Sequence, residues 1–252
     1  MSLDPAKRVK GVWAEVLDLL YPGICQVCGG GLTGDRSLCE GCVAEVPGLK
    51  EPFCRRCGEE FDGQAGAGAE CPNCRNLTFA FDFARPAVPC HPAILEMIHG
   101  LKYSRRIELA PELGRVAVRA FEDDPRLEPA LAGGWSLVPV PLHRTRELWR
   151  HFNQAAEIAR PMARGTGLPV CHALTRVRST GNQTRLNRAQ RLKNLKGAFA
   201  LSKEGAKLAG GKPPGVVLVD DVFTTGATSD ECARALRRGG VQKVVVVTVM
   251  RG

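Results

Sequence analysis

The sequence predicts an α/β protein, a doubly wound parallel sheet preceded by a small cysteine-rich region. Three observations predict it. Val216–Val219 (VVLV) and Val244–Met250 (VVVVTVM) are continuous apolar runs of strand length, as expected of parallel strands covered on both faces. After residue 80 such runs alternate with longer helical patterns, the rhythm of βαβ units. Before residue 80 glycine and cysteine dominate, and eight of the eleven cysteines form four CxxC pairs.

The first segment, residues 1–24, reads as an amphipathic helix, because Val9, Val12, Trp13, Val16, Leu17 and Leu20 fall on one face. Glu15 and Asp18 interrupt its apolar stretch and no small-residue cleavage site follows, which argues against a signal peptide. The apolar face is read as packing on the rest of the protein, with peripheral membrane contact as the alternative. No apolar run reaches the roughly 18 residues of a membrane span. The composition, 24% charged and 44% hydrophobic, is that of a folded globular chain rather than a disordered one.

Cys25 and Cys28 are followed after ten residues by Cys39 and Cys42, and Cys54 and Cys57 after thirteen by Cys71 and Cys74. Each CxxC presents two thiolates to one metal, and Gly29 and Gly58 suit the tight turn of such a knuckle. Four thiolates around a tetrahedral ion leave no open position, so the prediction is two structural Zn²⁺ ions rather than a catalytic one. Zinc would then stand in for a core in a segment with few large apolar residues. Sequential pairing of the knuckles (25 to 42, then 54 to 74) and interleaved pairing both fit the spacing. CxxC pairs without a secretory signal favour metal over disulfides and a cytoplasmic location. Cys90, Cys171 and Cys232 are scattered and read as small buried hydrophobes.

Beyond the aromatic, β-favouring FAFDFARPAV, helices are expected at Pro92–Lys102 and Ile107–Phe121, a strand at Ser136–Pro141, and a helix at Asn153–Arg164. A basic segment, Arg176–Lys196, holds seven Lys or Arg and no acid, so it is read as a lid over a polyphosphate, a track for a nucleic-acid backbone, or a solvated helix. Ala206–Gly215 (AKLAGGKPPG) reads as an exposed turn. The strand from Val216, a helix at Thr228–Arg238 and a strand at Lys243–Met250 complete the order.

The stretch VVLVDDVFTTGAT (Val216–Thr228) carries the chemistry. A carboxylate inside a covered strand is costly to desolvate, so Asp220 and Asp221 are expected where the strand leaves the core. The carboxyl end of a parallel strand is also where α/β proteins bind ligands. Small residues around Gly226, three hydroxyls and a following helix N-terminus make an anion site, and no Walker loop is present. The net charge of +9 points to a polyanionic partner, either nucleic acid or a phosphorylated small molecule.

This stretch resembles the PRPP-binding signature of type I phosphoribosyltransferases. The resemblance implies that Asp220 and Asp221 contact the ribose hydroxyls of PRPP or ribose 5-phosphate. It implies that Thr224, Thr225, Gly226, Ala227 and Thr228 hold the 5′-phosphate. PVPLHRTR lies at the end of a second predicted strand, where the pyrophosphate loop of these enzymes would be, so Leu142, His143 and Arg144 are candidates for that role. Departure of pyrophosphate needs charge stabilisation, supplied in this class by Mg²⁺ and cationic side chains.

IHGLKYSRR (Ile98–Arg106), VPVPLHRTR (Val138–Arg146), FNQAAEIAR (Phe152–Arg160) and NQTRLNRAQRLKNLKGAF (Asn182–Phe199) are similar to the ComF family, as is the pair of cysteine ribbons. After the amphipathic helix at 1–24, that resemblance implies a double zinc ribbon at 25–78 and a type I phosphoribosyltransferase-like domain at 79–252. It implies either transfer of phosphoribose to an acceptor or a non-catalytic PRPP sensor or scaffold that binds single-stranded DNA alongside DNA-uptake proteins. One departure stands out: LWRHFNQ places His151 where the family usually has glycine.

Overall fold

Residues 23–32, 36–61, 69–75, 77–178 and 194–252 are described by the computed structural model. The helix expected over residues 1–24 lies outside them except for Gly23 and Ile24, which form a strand. Residues 179–193 of the basic segment also lie outside. The chain divides into two compact units between Val46 and Pro47.

In the first unit, β1 (Gly23–Ile24) pairs antiparallel with β2 (Gly31–Leu32), and the chain between them is the first cysteine knuckle. Gly29 takes the left-handed conformation this turn requires, φ +70°, and its amide donates to the Cys25 carbonyl at 2.9 Å. Helix α1 (Glu40–Glu45) follows, with the Cys39 sulfur accepting from the Cys42 amide as its N-cap.

The second unit is built on four parallel strands in the order β3 (Phe83–Val88), β8 (Val244–Arg251), β7 (Val216–Phe223) and β4 (Ser136–Pro139). Between β3 and β4 the chain forms α2 (Pro92–Tyr103), α3 (Ala110–Glu122) and the short α4 (Glu128–Ala132). After β4 come α5 (Arg144–Arg150) and α6 (Gln154–Thr166), then an antiparallel pair, β5 (Leu174–Arg176) with β6 (Phe199–Leu201). Helix α7 (Lys203–Gly210) precedes β7, and α8 (Ala227–Arg238) joins β7 to β8.

Helices cover both faces of this sheet. Side chains alternate along a strand, and Val138, Val216, Leu218, Val244 and Val246 share a core cluster with Cys232, Ala233 and Leu236 of α8. On the other face α3 packs against β3, β8 and α6, while α6 packs against β4 and β7. Helix α3 is fitted to that position by its sequence: Leu113, Val116, Ala117, Ala120 and Phe121 recur at helical spacing and are buried.

The second cysteine ribbon is bonded directly to this sheet. Ala84 of β3 donates to the Arg56 carbonyl at 2.9 Å, and Arg251 pairs with Glu59. Arg85, 1% exposed, lies over the Phe53 ring at 4.8 Å and pairs with Asp124 at 3.3 Å. Its remaining guanidinium nitrogens donate to the carbonyls of Pro86 and Leu49, which is what makes a buried charge tolerable.

Three expectations are corrected. Lys203–Gly210 is a helix, so the stretch read as a turn from Ala206 begins inside α7, where Ser202 caps the helix through the Gly205 amide. Strand β4 ends at Pro139 rather than Pro141. Cys171 and Cys232 are buried, but Cys90 is exposed just after β3.

Candidate functional site

The cysteines gather sequentially. The sulfur atoms of Cys25, Cys28, Cys39 and Cys42 lie within 4.8 Å of one another, and so do those of Cys54, Cys57, Cys71 and Cys74. Tetrahedral zinc with Zn–S bonds of about 2.3 Å needs sulfurs about 3.8 Å apart. Cys28 and Cys39 are 3.7 Å apart and Cys57 and Cys71 3.6 Å, so both sets suit a structural zinc ion. Burial pushes the Cys25 thiol up, but backbone amides of Cys28, Cys39 and Val27 outweigh it and bring it down to about 6. Hydrogen bonds from the Cys57 and Cys74 thiols hold Cys54 low. Shared hydrogen bonds within each set push Cys42, Cys57 and Cys74 up, so a metal that binds all four thiolates of a set would displace their protons.

A cavity of about 610 Å³ opens at the carboxyl ends of β4 and β7. The chain leaves these adjacent strands toward opposite faces, through α6 from one and α8 from the other. Such a reversal opens a crevice where open α/β sheets bind ligands. Strand β7 outlasts its neighbour: the last β4 pair is Pro139 with Val219, whereas pairing with β8 continues to Phe223 with Arg251. Asp220 and Asp221 therefore lie inside β7 but beyond the end of β4, and both line the cavity. Burial, reinforced by the Asp221 charge, pushes the Asp220 carboxyl up to about 7. Asp221, 7% exposed, is paired with Lys102.

Gly226 turns the chain from β7 into α8 with φ +76°, and a Cβ there would lie 2.7 Å from the Phe223 ring, so only glycine fits. It caps α8 without a side chain, while the Thr225 hydroxyl accepts from the Ala227 amide at 3.4 Å. Thr224 and Thr228 line the cavity on either side of this turn. The remaining charged wall comes from Lys102, Arg146, Arg150 and Arg176, four cations against two carboxylates, a balance that favours an anion.

A family model for the double zinc ribbon domain matches residues 16–76. The chain is 32% identical over 238 residues to the DNA utilization protein YhgH of Escherichia coli, covering 93% of each chain. It is 29% identical over 226 residues to Competence protein F of Haemophilus influenzae, covering 88% of this chain and 94% of that one. The chain belongs to the competence protein F/YhgH family. The YhgH protein of Salmonella typhimurium is 31% identical over 236 residues, with 93% coverage of each.

In this competence protein F family chain the residues singled out from the sequence separate. Asp220, Asp221, Thr224, Thr228 and Leu142 line the cavity. Gly226 and Ala227 are buried behind it, and Thr225 is half-buried. His143 is the N-cap of α5, its Nδ1 accepting from the Thr145 amide at 3.4 Å. Arg144 lines a separate cleft with Glu147 and His151. His151 ends α5 in the left-handed conformation, φ +69°, which glycine adopts most readily at a helix end.

The sequence alone assigned no role in the site to Lys102, Tyr103, Arg146, Trp149, Arg150 or Gln154, whereas Arg176 opens the basic segment read as a polyphosphate lid. Lys102, Arg146 and Gln154 lie in segments that carried the ComF resemblance, which was the available signal. Among the described residues no helix is long and apolar enough to cross a membrane.

Proposed function

We propose that this cavity binds PRPP with Mg²⁺ and that the protein transfers its phosphoribosyl group to an acceptor. The observation that carries the reading is the meeting of two adjacent carboxylates, a threonine-rich turn at a helix N-terminus and four cations around one crevice. Asp220 and Asp221 accept hydrogen bonds from the ribose hydroxyls. Thr224, Thr225, Gly226, Ala227 and Thr228 hold the 5′-phosphate through hydroxyls and helix-end amides. The loop Leu142, His143 and Arg144 faces the pyrophosphate with its backbone. Lys102 and Arg146 stabilise charge on the leaving group. Mg²⁺ bound with the substrate supplies further neutralisation of the pyrophosphate oxygens. The test is release of pyrophosphate from PRPP and Mg²⁺ in the presence of a panel of nucleobases. Acceptor-dependent release supports transfer, and none with any acceptor removes it.

A second reading is favoured by the names of the relatives, a competence protein and DNA utilization proteins, and by the net charge of +9. In it the same cradle senses PRPP or ribose 5-phosphate, and the zinc ribbons and the basic segment bind single-stranded DNA among DNA-uptake partners in the cytoplasm. Binding of a single-stranded oligonucleotide that weakens steeply with salt supports it, because neutralised phosphates release counterions. A flat salt response counts against it.

A further inference from the structure

The turn from β7 into α8 is built on the second cysteine ribbon. Cys54, Cys57, Cys71 and Cys74 share one buried cluster with Phe81, with Phe223 at the end of β7 and with Ala227 at the start of α8. Thr224, Thr225 and Gly226 lie between the last two, so the turn is anchored at both ends in the cluster that holds the ribbon. Its own residues are small, and Gly226 caps α8 without a side chain, so its shape is set by what it packs against.

Contacts from both knuckles of the ribbon supply that packing. Phe79, five residues after Cys74, stacks on Phe81 with ring centres 4.6 Å apart, and Phe81 meets the Phe223 ring edge-on at 5.9 Å. The Phe79 Cε1 atom also lies 3.3 Å from the position a Cβ on Gly226 would take. The Ala80 amide donates to Oδ1 of Asp230 at 2.6 Å, and Asp230 is buried in the first turn of α8. From the other knuckle, Glu59 pairs with Arg251, whose guanidinium donates to the Phe223 carbonyl at 2.7 Å and lies over the Phe223 ring.

Zinc takes the place of a core in such a ribbon, so its loss frees the knuckles and the rings that stand on them. Close-packed neighbours transmit that movement to the turn. Amides at a helix end bind an anion tightly when they are already aimed at it, because ordering them on binding subtracts from affinity. Coupling between two sites is reciprocal, so a ligand that orders the turn also holds the ribbon closed.

We infer that the second zinc ribbon positions the phosphate turn, with Phe79, Asp230 and Arg251 coupling zinc occupancy of Cys54, Cys57, Cys71 and Cys74 to sugar-phosphate affinity. The inference rests on the ribose-phosphate reading of the cavity. The three are positioning residues, which act through the turn rather than on the ligand. No bond of the ligand is made or broken by them.

The test follows zinc release to a chromogenic chelator from the zinc-loaded protein, without ligand and with ribose 5-phosphate at about a hundred times each protein's own calorimetric Kd. Cys25→Ser, which keeps the second cluster, identifies its phase of release. Ribose 5-phosphate is expected to slow release from the second cluster by about ten- to a hundredfold. The first cluster belongs to the other compact unit, and its release is expected to stay unchanged. Phe79→Leu keeps an apolar side chain but removes the stacked ring. Ribose 5-phosphate then binds about tenfold more weakly, and at matched saturation the protection of the second cluster falls below about threefold. A ring that only stabilised the fold would lower the melting temperature and leave protection at matched saturation as it was. Full protection in Phe79→Leu therefore overturns the coupling. So does release from the second cluster that is unchanged in a wild type that binds ribose 5-phosphate, a comparison that needs no variant to fold. Either result leaves the cradle standing. A wild type that does not bind ribose 5-phosphate overturns the reading of the cavity and the inference with it.

Discussion

The Nζ atom of Lys102 lies 2.7 Å from Oδ1 of Asp221, joining the last turn of α2 to β7 at the mouth of the crevice. The carboxylate side chain is 10% exposed at the cavity wall, and the lysine side chain is 21% exposed. Removing the cation leaves a buried charge without its counter-ion, which is costlier than losing a surface pair. Lys102→Met is therefore expected to destabilise the protein by about 2 kcal/mol, less than the full buried-pair value because water reaches the lysine. Urea unfolding at neutral pH checks this.

Asp220 gives the crevice a pH signature. Its carboxyl faces Asp221, Lys102 and Arg176, and burial with the Asp221 charge raises it to about 7. A raised carboxyl takes up a proton on folding between its unfolded value near 4 and about 7, so its contribution to stability falls as pH rises through that window. Asp220→Asn mimics the protonated form. Its stability relative to wild type should grow from about pH 4 to about pH 7 and then level off, as read from denaturant midpoints. A difference independent of pH would contradict the assigned environment.

The two thiolate clusters predict two zinc ions per chain by elemental analysis. Cys54→Ser and Cys25→Ser should each retain one. The larger loss of melting temperature is expected for Cys54→Ser, because its ribbon is tied to β3 and β8 through Arg56, Arg85 and Arg251. Chelation should reproduce the combined loss and zinc should restore it.

His151 holds a left-handed backbone conformation that glycine adopts without steric cost. His151→Gly should stabilise the protein by about 1 kcal/mol, measured by thermal melting, and leave ligand affinity unchanged.

What could be read from the sequence follows from which signals are local. The VVLV and VVVVTVM runs became β7 and β8, and the cysteine spacing became two clusters of four sulfurs, because burial and metal geometry act over a few residues. Helix α5 was missed because none of its residues is buried, so no apolar period marks it. The meeting of the cavity's cations was not legible for a different reason, although Arg176 opens the basic segment read as a polyphosphate lid. Lys102 lies at the end of α2, Arg146 and Arg150 on α5 and Arg176 on β5, and only the parallel crossovers bring them to the end of β7. Of the loop Leu142, His143 and Arg144, only Leu142 lines the cavity, because the start of α5 takes the His143 side chain as its cap and places the Arg144 side chain in another cleft.

We propose that β7 ends in a ribose-phosphate cradle. Calorimetric titration of PRPP with Mg²⁺ into wild type and into Asp220→Asn/Asp221→Asn tests it most directly. Saturable binding to wild type and its loss in the double variant are expected, with the variant still folded by circular dichroism. Equal binding to both proteins would contradict it.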